Sequence, residues 1–322
     1  MADNRIIDFR GLRKEFRDKV VLDKVDLTIN RGEIFGIIGL SGSGKTTLFN
    51  TLIGFLEPEE GEINYFDSNK QIPIKKDSKI VKTEFGFATQ EPSFYPKLTA
   101  EENLDHFGSL YKIKKKIRRQ YIDYLLKLVD LYDSKDNISA SLSGGMQKRL
   151  TIACAMIHNP KVLILDEPTA DLDPYLRNKT WDVIKNIKKQ GTTVILSSHF
   201  LDEVDLLCDR IAILHNGVIL EVGSPKELKD KYSKNEEIEL RIKSGNYGKV
   251  YNAIEKQKLP VSKVLKRPEN IVLYTPKPES TLRKLLDLVD DLGEELEYID
   301  VNRPSLAEVF ESLTYKSVRL SR

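Results

Sequence analysis

Cysteine is scarce in this chain. Cys154 and Cys208 are the only two among 322 residues, and neither has a second thiol at a metal-ligand spacing, so a reducing compartment is expected. Long apolar runs are missing too. No stretch approaches the roughly 18–20 apolar residues that a bilayer crossing needs, and the opening "MADNRIIDFRG" has no apolar signal core. A cytosolic chain is expected, with any work at a membrane done through a partner. Charge of one sign is not in excess: 51 Lys and Arg against 49 Asp and Glu leave +2, which gives no broad footprint for nucleic acid. Internal repeats and low-complexity tracts are also absent, so repeat and linker-like architectures drop out.

What remains is an ordinary globular composition, 40% hydrophobic and 31% charged, in a chain long enough for two or three domains with their own cores. The densest charge run holds Lys112, Lys114, Lys115, Lys116, Arg118 and Arg119. It leads into "YIDYLLKLVDL", where Ile122, Leu125, Leu126 and Val129 recur at helical spacing. The run reads as the solvated start of an amphipathic helix, with a phosphate or lipid-headgroup contact as the alternative.

"FGIIGLSGSGKTTLFN" carries the first chemistry. Gly39-Leu40-Ser41-Gly42-Ser43-Gly44-Lys45-Thr46 fits G-x-x-x-x-G-K-[ST], the phosphate-binding loop. "EIFGII" before it reads as a buried strand. "TTLFNTLIGFL" after it reads as a helix with Leu48, Leu52, Ile53 and Leu56 on one face. Glycine lets the loop adopt backbone angles closed to other residues and bring its amides against phosphate. Those amides sit at a helix N-terminus, where the dipole also favours an anion. Lys45 supplies charge for the outer phosphates, and the Thr46 hydroxyl suits Mg2+. A nucleotide site follows, with ATP and Mg2+ as the expected cofactors.

Further apolar runs end on polar side chains. Val162 to Leu165 is capped by Asp166 and Glu167, "EFGFATQ" closes on Gln90, and "TTVILSSH" closes on His199. In an open parallel sheet, ligands gather beyond the carboxyl ends of strands. Asp166 there would hold the metal's water shell, and Glu167 could orient or deprotonate the attacking water. His199 is placed to contact the γ-phosphate. Gln90 alone would also suit a plain loop.

"SLSGGMQKRLTIACAMIHNP" adds a second phosphate-ready helix start, with Ser143 as N-cap and the helix ending before Pro160. Two such cradles in one chain make sense if two copies meet head to tail, each closing the other's nucleotide. In these segments the sequence resembles the nucleotide-binding subunit of ATP-binding cassette (ABC) transporters. The resemblance covers approximately residues 5–230, with every motif in family order. Leu142-Ser143-Gly144-Gly145 matches the signature, with Met146 where glutamine is commonest, which puts one polar contact in doubt. Ala170-Asp171-Leu172-Asp173 matches the D-loop. Phe16 matches the adenine-stacking aromatic, with a plain core role as the alternative.

The resemblance implies an α/β, P-loop NTPase fold of ABC type: a mostly parallel sheet, N-terminal antiparallel strands, and a helical subdomain at about 91–158 that couples to membrane subunits. It implies nucleotide contacts from Phe16 and from Gly39 through Thr46 and Thr47. Mg2+ would fall to Thr46, Gln90 and Asp166, and catalysis to Glu167, His199 and Gln90. The signature, Leu142 to Met146, would act on a partner's nucleotide. The implied function is ATP-driven transport through separate transmembrane permease subunits, at the cytoplasmic face of the cell membrane. The implied partner is a second copy or a homologous ATPase subunit.

Asp173 caps and Pro174 opens a helix through Leu176, Thr180, Ile184 and Ile187, stopped by Gly191. Asn216-Gly217 reads as the turn of a hairpin. A lysine-rich bridge puts a domain boundary near residue 233. Beyond it, 233–316 reads as a βαββαβ sandwich of ferredoxin-like kind, a small α+β domain. Its second helix would turn Leu282, Leu285, Leu286 and Val289 inward, with Gly293 as the stop. That domain would serve packing and dimer support, or regulation. Its "RPSLAEVFESLT" resembles the end of multidrug and daunorubicin-resistance export ATPases, and 317–322 reads as a loose basic tail.

Two other functions compete: a soluble ABC-type ATPase on nucleic acid or ribosomes, and a non-hydrolysing scaffold. Against the first stand the short separation of loop and signature without sustained heptads, the single cassette, and the balanced charge. No nucleic acid partner is expected. Against the second stands the presence of both Glu167 and His199.

Overall fold

A computed structural model of the chain describes residues 4–17, 19–67, 70–75, 78–232, 236–257, 259–302 and 305–320. It divides into two compact units, Met1–Pro225 and Lys226–Arg322.

The first unit opens with β1 (Arg5–Phe16), β2 (Lys19–Asn30), β3 (Ile34–Ile38), α1 (Lys45–Leu52), β4 (Glu60–Asp67), β5 (Lys70–Pro73), α2 (Lys79–Glu84) and β6 (Phe85–Ala88). The helices α3 (Ala100–Leu110), α4 (Lys115–Leu128) and α5 (Gly144–Met156) follow. After them come β7 (Val162–Leu165), α6 (Pro174–Lys189), β8 (Thr193–Ser198), α7 (Leu201–Leu207), β9 (Arg210–His215) and β10 (Val218–Gly223). One sheet has the order β2-β1-β4-β5 and is antiparallel. The other has the order β10-β9-β3-β8-β7-β6. In it β9, β3, β8, β7 and β6 run parallel, and β10 pairs antiparallel with β9.

β3, β7 and β8 are buried along their whole length. That is why they read in sequence as unbroken apolar runs rather than as alternation. α1 shares one core cluster with both sheets: Leu48, Phe49 and Leu52 are buried with Phe9 and Leu12 of β1, Phe35 and Ile37 of β3, and Ile63 and Tyr65 of β4. Each such side chain contributes about 1.5–3 kcal/mol through burial. α1 stops at Leu52, so Ile53 and Leu56 lie outside it. Gly54 takes φ 70°, a left-handed angle that glycine adopts freely and that turns the chain out of the helix.

α4 buries Ile122, Leu125 and Leu126, with Val129 buried just past its end, and its basic N-terminal turn is exposed. Arg118 alone in that run ties back, to Asp105 at 2.7 Å. α6 is capped by Asp173, whose Oδ1 accepts from Leu176 N at 3.0 Å. It buries Thr180, Val183, Ile184 and Ile187, and Leu176 is half-buried. Asn216 and Gly217 both have positive φ, 48° and 80°, as a two-residue hairpin turn requires. Cys154 and Cys208 are buried free thiols, pushed up by desolvation and so unreactive.

The lysine-rich bridge is a helix, α8 (Pro225–Tyr232). The division at Pro225 therefore comes earlier than residue 233, because Pro225 opens a helix whose remainder belongs to the second unit. β11 (Glu236–Ile242), α9 (Tyr247–Gln257), β12 (Lys263–Lys266), β13 (Ile271–Thr275), α10 (Pro278–Asp291), β14 (Leu296–Asn302) and α11 (Leu306–Leu320) complete it. Its antiparallel sheet has the order β12-β13-β11-β14, the split βαββαβ arrangement of a ferredoxin-like sandwich. α10 turns Leu285, Leu288 and Val289 inward, with Leu282 and Leu286 at the margin. The backbone of residues 317–320 continues α11 instead of forming a loose tail, and 321–322 lie outside the described residues.

Candidate active site

Because β3, β6, β7 and β8 are parallel and adjacent, their carboxyl ends open on one edge of the sheet. Beyond β3 the chain curls through Gly39–Gly44 into α1. Gly42 and Gly44 take φ 79° and 111°. A Cβ at Gly39 would sit 2.3 Å from Leu214 O and 2.5 Å from Ser43 Oγ, and one at Gly44 would sit 3.0 Å from Val21 O. No larger residue fits at either place without moving backbone. Ser43 is buried, and its Oγ has no partner. A buried hydroxyl without a partner, in a glycine-rich loop that opens a helix, is a group a phosphate oxygen can satisfy.

Lys45 is 6% exposed, and its Nζ donates to Gly39 O at 2.9 Å and Leu40 O at 3.3 Å. It stands 3.7 Å from Glu167 Oε1. Thr46 Oγ1 donates to Asp166 Oδ2 at 3.1 Å. That pair of oxygen donors suits Mg2+, which takes one or two protein oxygens and completes its shell from phosphate and water. Among the described residues no group of three or more His, Cys, Asp and Glu could hold a metal alone. His199 Nδ1 lies 3.0 Å from Glu167 Oε2. Glu167 itself has φ 47°, a strained backbone for a residue with a Cβ.

An open cavity of about 560 Å³ is lined by Ser41, Gly42, Gly44, Lys45, Thr46, Thr47, Gln90 and Glu167, and from other segments by Lys19, Val20, Val21, Asn216 and Gly217. Gln90 is exposed there, and its carbonyl accepts from Lys148 Nζ. The sequence thus brought most of its candidates together. It missed Lys19, Val20 and Val21 of β2, which bear no motif. It read Asn216-Gly217 as a turn alone. Phe16 is 45% exposed and does not line this cavity. It is therefore not a core residue; Lys14 Nζ sits 5.2 Å from its ring centroid, at the end of the strand preceding Lys19.

Two segments stand apart from the cavity. Ser143 caps α5, its Oγ accepting from Met146 N at 3.4 Å. Ser143 and Gly144 are exposed, and Gly145 is buried against Leu176. In the other segment Asp171 has φ 65°, and Ala170 and Leu172 are buried. None of Leu142 to Met146 or Ala170 to Asp173 lines the cavity. The signature-like and D-loop-like segments of a chain thus stand outside its own cavity.

A family profile described as ABC transporter matches residues 22–170. The Nod factor export ATP-binding protein I of Rhizobium sp. (strain N33) is 32% identical over 308 residues, 96% of this chain and 96% of that protein. The daunorubicin resistance ATP-binding protein DrrA3 of Streptomyces coeruleorubidus is 32% identical over 317 residues, 98% of this chain and 97% of that one. A solved ATP-binding cassette, a dimer in a post-hydrolysis state bound to ADP and Pi, is similar in fold with a TM-score of 0.60 and 28% identity. That match covers 68% of this chain and 98% of the other.

Proposed function

The chain belongs to the ABC transporter family and is an ATPase, and from that premise we propose that it is the nucleotide-binding subunit of an exporter. One observation carries the reading: Lys45, Thr46, Gln90, Asp166, Glu167 and His199 converge on a single sheet edge, around a glycine-walled cradle with an unpaired buried hydroxyl. The amides of the loop and the α1 N-terminus bind the phosphates. Lys45 exchanges its two carbonyl partners for phosphate oxygens. Thr46, Asp166 and Gln90 would hold Mg2+, which when bound neutralises charge on the outer phosphates. Glu167, held between His199 and Lys45, takes the proton of the attacking water, and His199 steadies the γ-phosphate.

The signature serves a neighbour. A second copy, or a homologous subunit, set head to tail would bring its Ser143 to this cavity, and a dimeric relative bound to ADP and Pi supports such a pairing. ATP would then glue the pair through two helix N-termini, and cleavage would loosen it. Among the described residues no helix is long and apolar enough to cross a membrane. In this reading a separate permease polypeptide would supply the membrane spans and keep the subunit at the cytoplasmic face. A groove of about 260 Å³ spans Ile53, Phe85 and Phe87 on the sheet side and Phe107, Tyr111 and His158 on the helical side, with Ser93 between them. Phe87 and Ser93 of this groove flank Gln90 in the chain, so a permease segment seated there would feel closure. The two relatives named for export and for drug resistance favour export over import.

Glu167→Gln tests the reading. The variant should keep ATP affinity, lose turnover by roughly 10²- to 10⁴-fold, and accumulate a dimer on sizing columns run with ATP and Mg2+. A variant that stays monomeric at saturating ATP removes the head-to-tail sandwich, and one with normal turnover removes Glu167 as base.

A further inference from the structure

Ser197 belongs to the run "TTVILSSH", in which only His199 has a role legible from the sequence. It is fully buried on β8, two residues before His199. Its hydroxyl donates to Asp166 Oδ1 at 2.5 Å and accepts from Glu167 N at 2.9 Å. β7 and β8 are parallel neighbours, with Leu165 opposite Leu196, so the residue after each strand partner meets the other across the ladder. A serine hydroxyl has one proton to give, and here it is committed to one carboxylate oxygen. The other oxygen, Oδ2, is left turned to the Thr46 hydroxyl at 3.1 Å. The same Ser197 oxygen holds the amide of Glu167, whose left-handed backbone persists only where its surroundings over-determine it.

We infer that Ser197 is a positioning residue for ATP hydrolysis, one hydroxyl that fixes both the metal-side oxygen of Asp166 and the backbone of the base Glu167. The inference rests on the ATPase roles proposed above for those two acids. It separates Ser197 from its neighbour Ser198, whose Oγ accepts from Phe200 N at 2.9 Å and touches neither acid. It also explains how two adjacent carboxylates take different tasks. Asp166 is buried with Oδ1 held by Ser197 and Oδ2 turned to Thr46, whereas the Glu167 side chain lines the cavity between Lys45 and His199.

The test is a Mg2+ titration of a fluorescent ATP analogue on the full chain, run beside steady-state turnover. Outer-shell partners of a metal site are worth roughly 10- to 100-fold in affinity or activity. Ser197→Ala should raise the Mg2+ midpoint and lower kcat by that range, and leave analogue affinity in EDTA within about twofold of the parent. Ser197→Thr, which keeps the hydroxyl, should restore both to within a few-fold, and Ser198→Ala should leave the midpoint unmoved. If Ser197→Ala does not fold, Ser197→Cys, close in size with a weak donor, carries the same expectation in smaller measure. The inference is overturned by an unchanged Mg2+ midpoint in the folded Ala or Cys variant. It is equally overturned by a loss of affinity that is as large in EDTA as in Mg2+, which marks a merely structural residue. A parent protein with no turnover in the same assay would strike the ATPase reading itself, a result that neither outcome for Ser197 can mimic.

Discussion

Lys45 spends three contacts inside the protein, on the carbonyls of Gly39 and Leu40 and on Glu167, although phosphate is the partner its chemistry suits best. A buried ammonium is costly unless paired, so these contacts hold the charge in place until a stronger anion takes it. Lys45→Ala removes the charge and leaves the glycine cradle. Hydrogen bonds to charged groups are worth about 1.5–3 kcal/mol each, so affinity for a fluorescent ATP analogue should fall at least roughly 100-fold; normal binding in that variant would take the loop out of the mechanism. At this scale the sequence was readable wherever chemistry is packed into consecutive residues, as in Gly39 to Thr46 or Asp166-Glu167. Ser197 was not readable, because its value depends on the register of β8 against β7. The strain at Glu167 and its contact with His199 were equally hidden, being properties of folded backbone.

Among the elements, α1 joins the loop to the core, and Phe49 is its largest buried side chain, at 0% exposed. Phe49→Ala should cost about 3–5 kcal/mol through lost transfer energy and the cavity left behind. The chain's single tryptophan, Trp181 on α6, reports the first unit alone, so urea unfolding followed by its fluorescence gives the number directly. A shift below about 1 kcal/mol would mean that α1 is not the keystone of that core. The strands of the parallel sheet were legible because burial on both faces leaves no room for polar residues. Helix ends were less so. The apolar spacing of α1 continues past Leu52 through Ile53 and Leu56 although the backbone has already turned at Gly54. In the lysine-rich bridge, composition suggested a linker, while Pro225 supplied the N-terminal start of α8.

Across the whole molecule, two apolar clusters share no residue: one runs from Ile6 to Leu214 and the other from Ile238 to Val289. The order βαββαβ could be read from the sequence. The strand order β12-β13-β11-β14 follows from it only because long-range pairing obeys the topology of a split βαβ sandwich. Every cavity residue lies in the first unit, and the second closes its own core with α9 and α10 against the β11 and β13 faces. A core of that kind supports a net stability of about 5–15 kcal/mol, so a fragment of residues 226–322 should fold alone and melt in one cooperative step by far-UV circular dichroism. A fragment that stays unfolded would show that the second unit depends on the first. The companion fragment, 1–225, separates the two roles left open for this unit. If the second unit supports dimers, 1–225 carrying Glu167→Gln should need several-fold more protein to dimerise with ATP. If the unit instead regulates, dimerisation of that fragment should match the full chain and steady-state turnover of 1–225 without the substitution should change, because only the rate of the cycle has then lost its control.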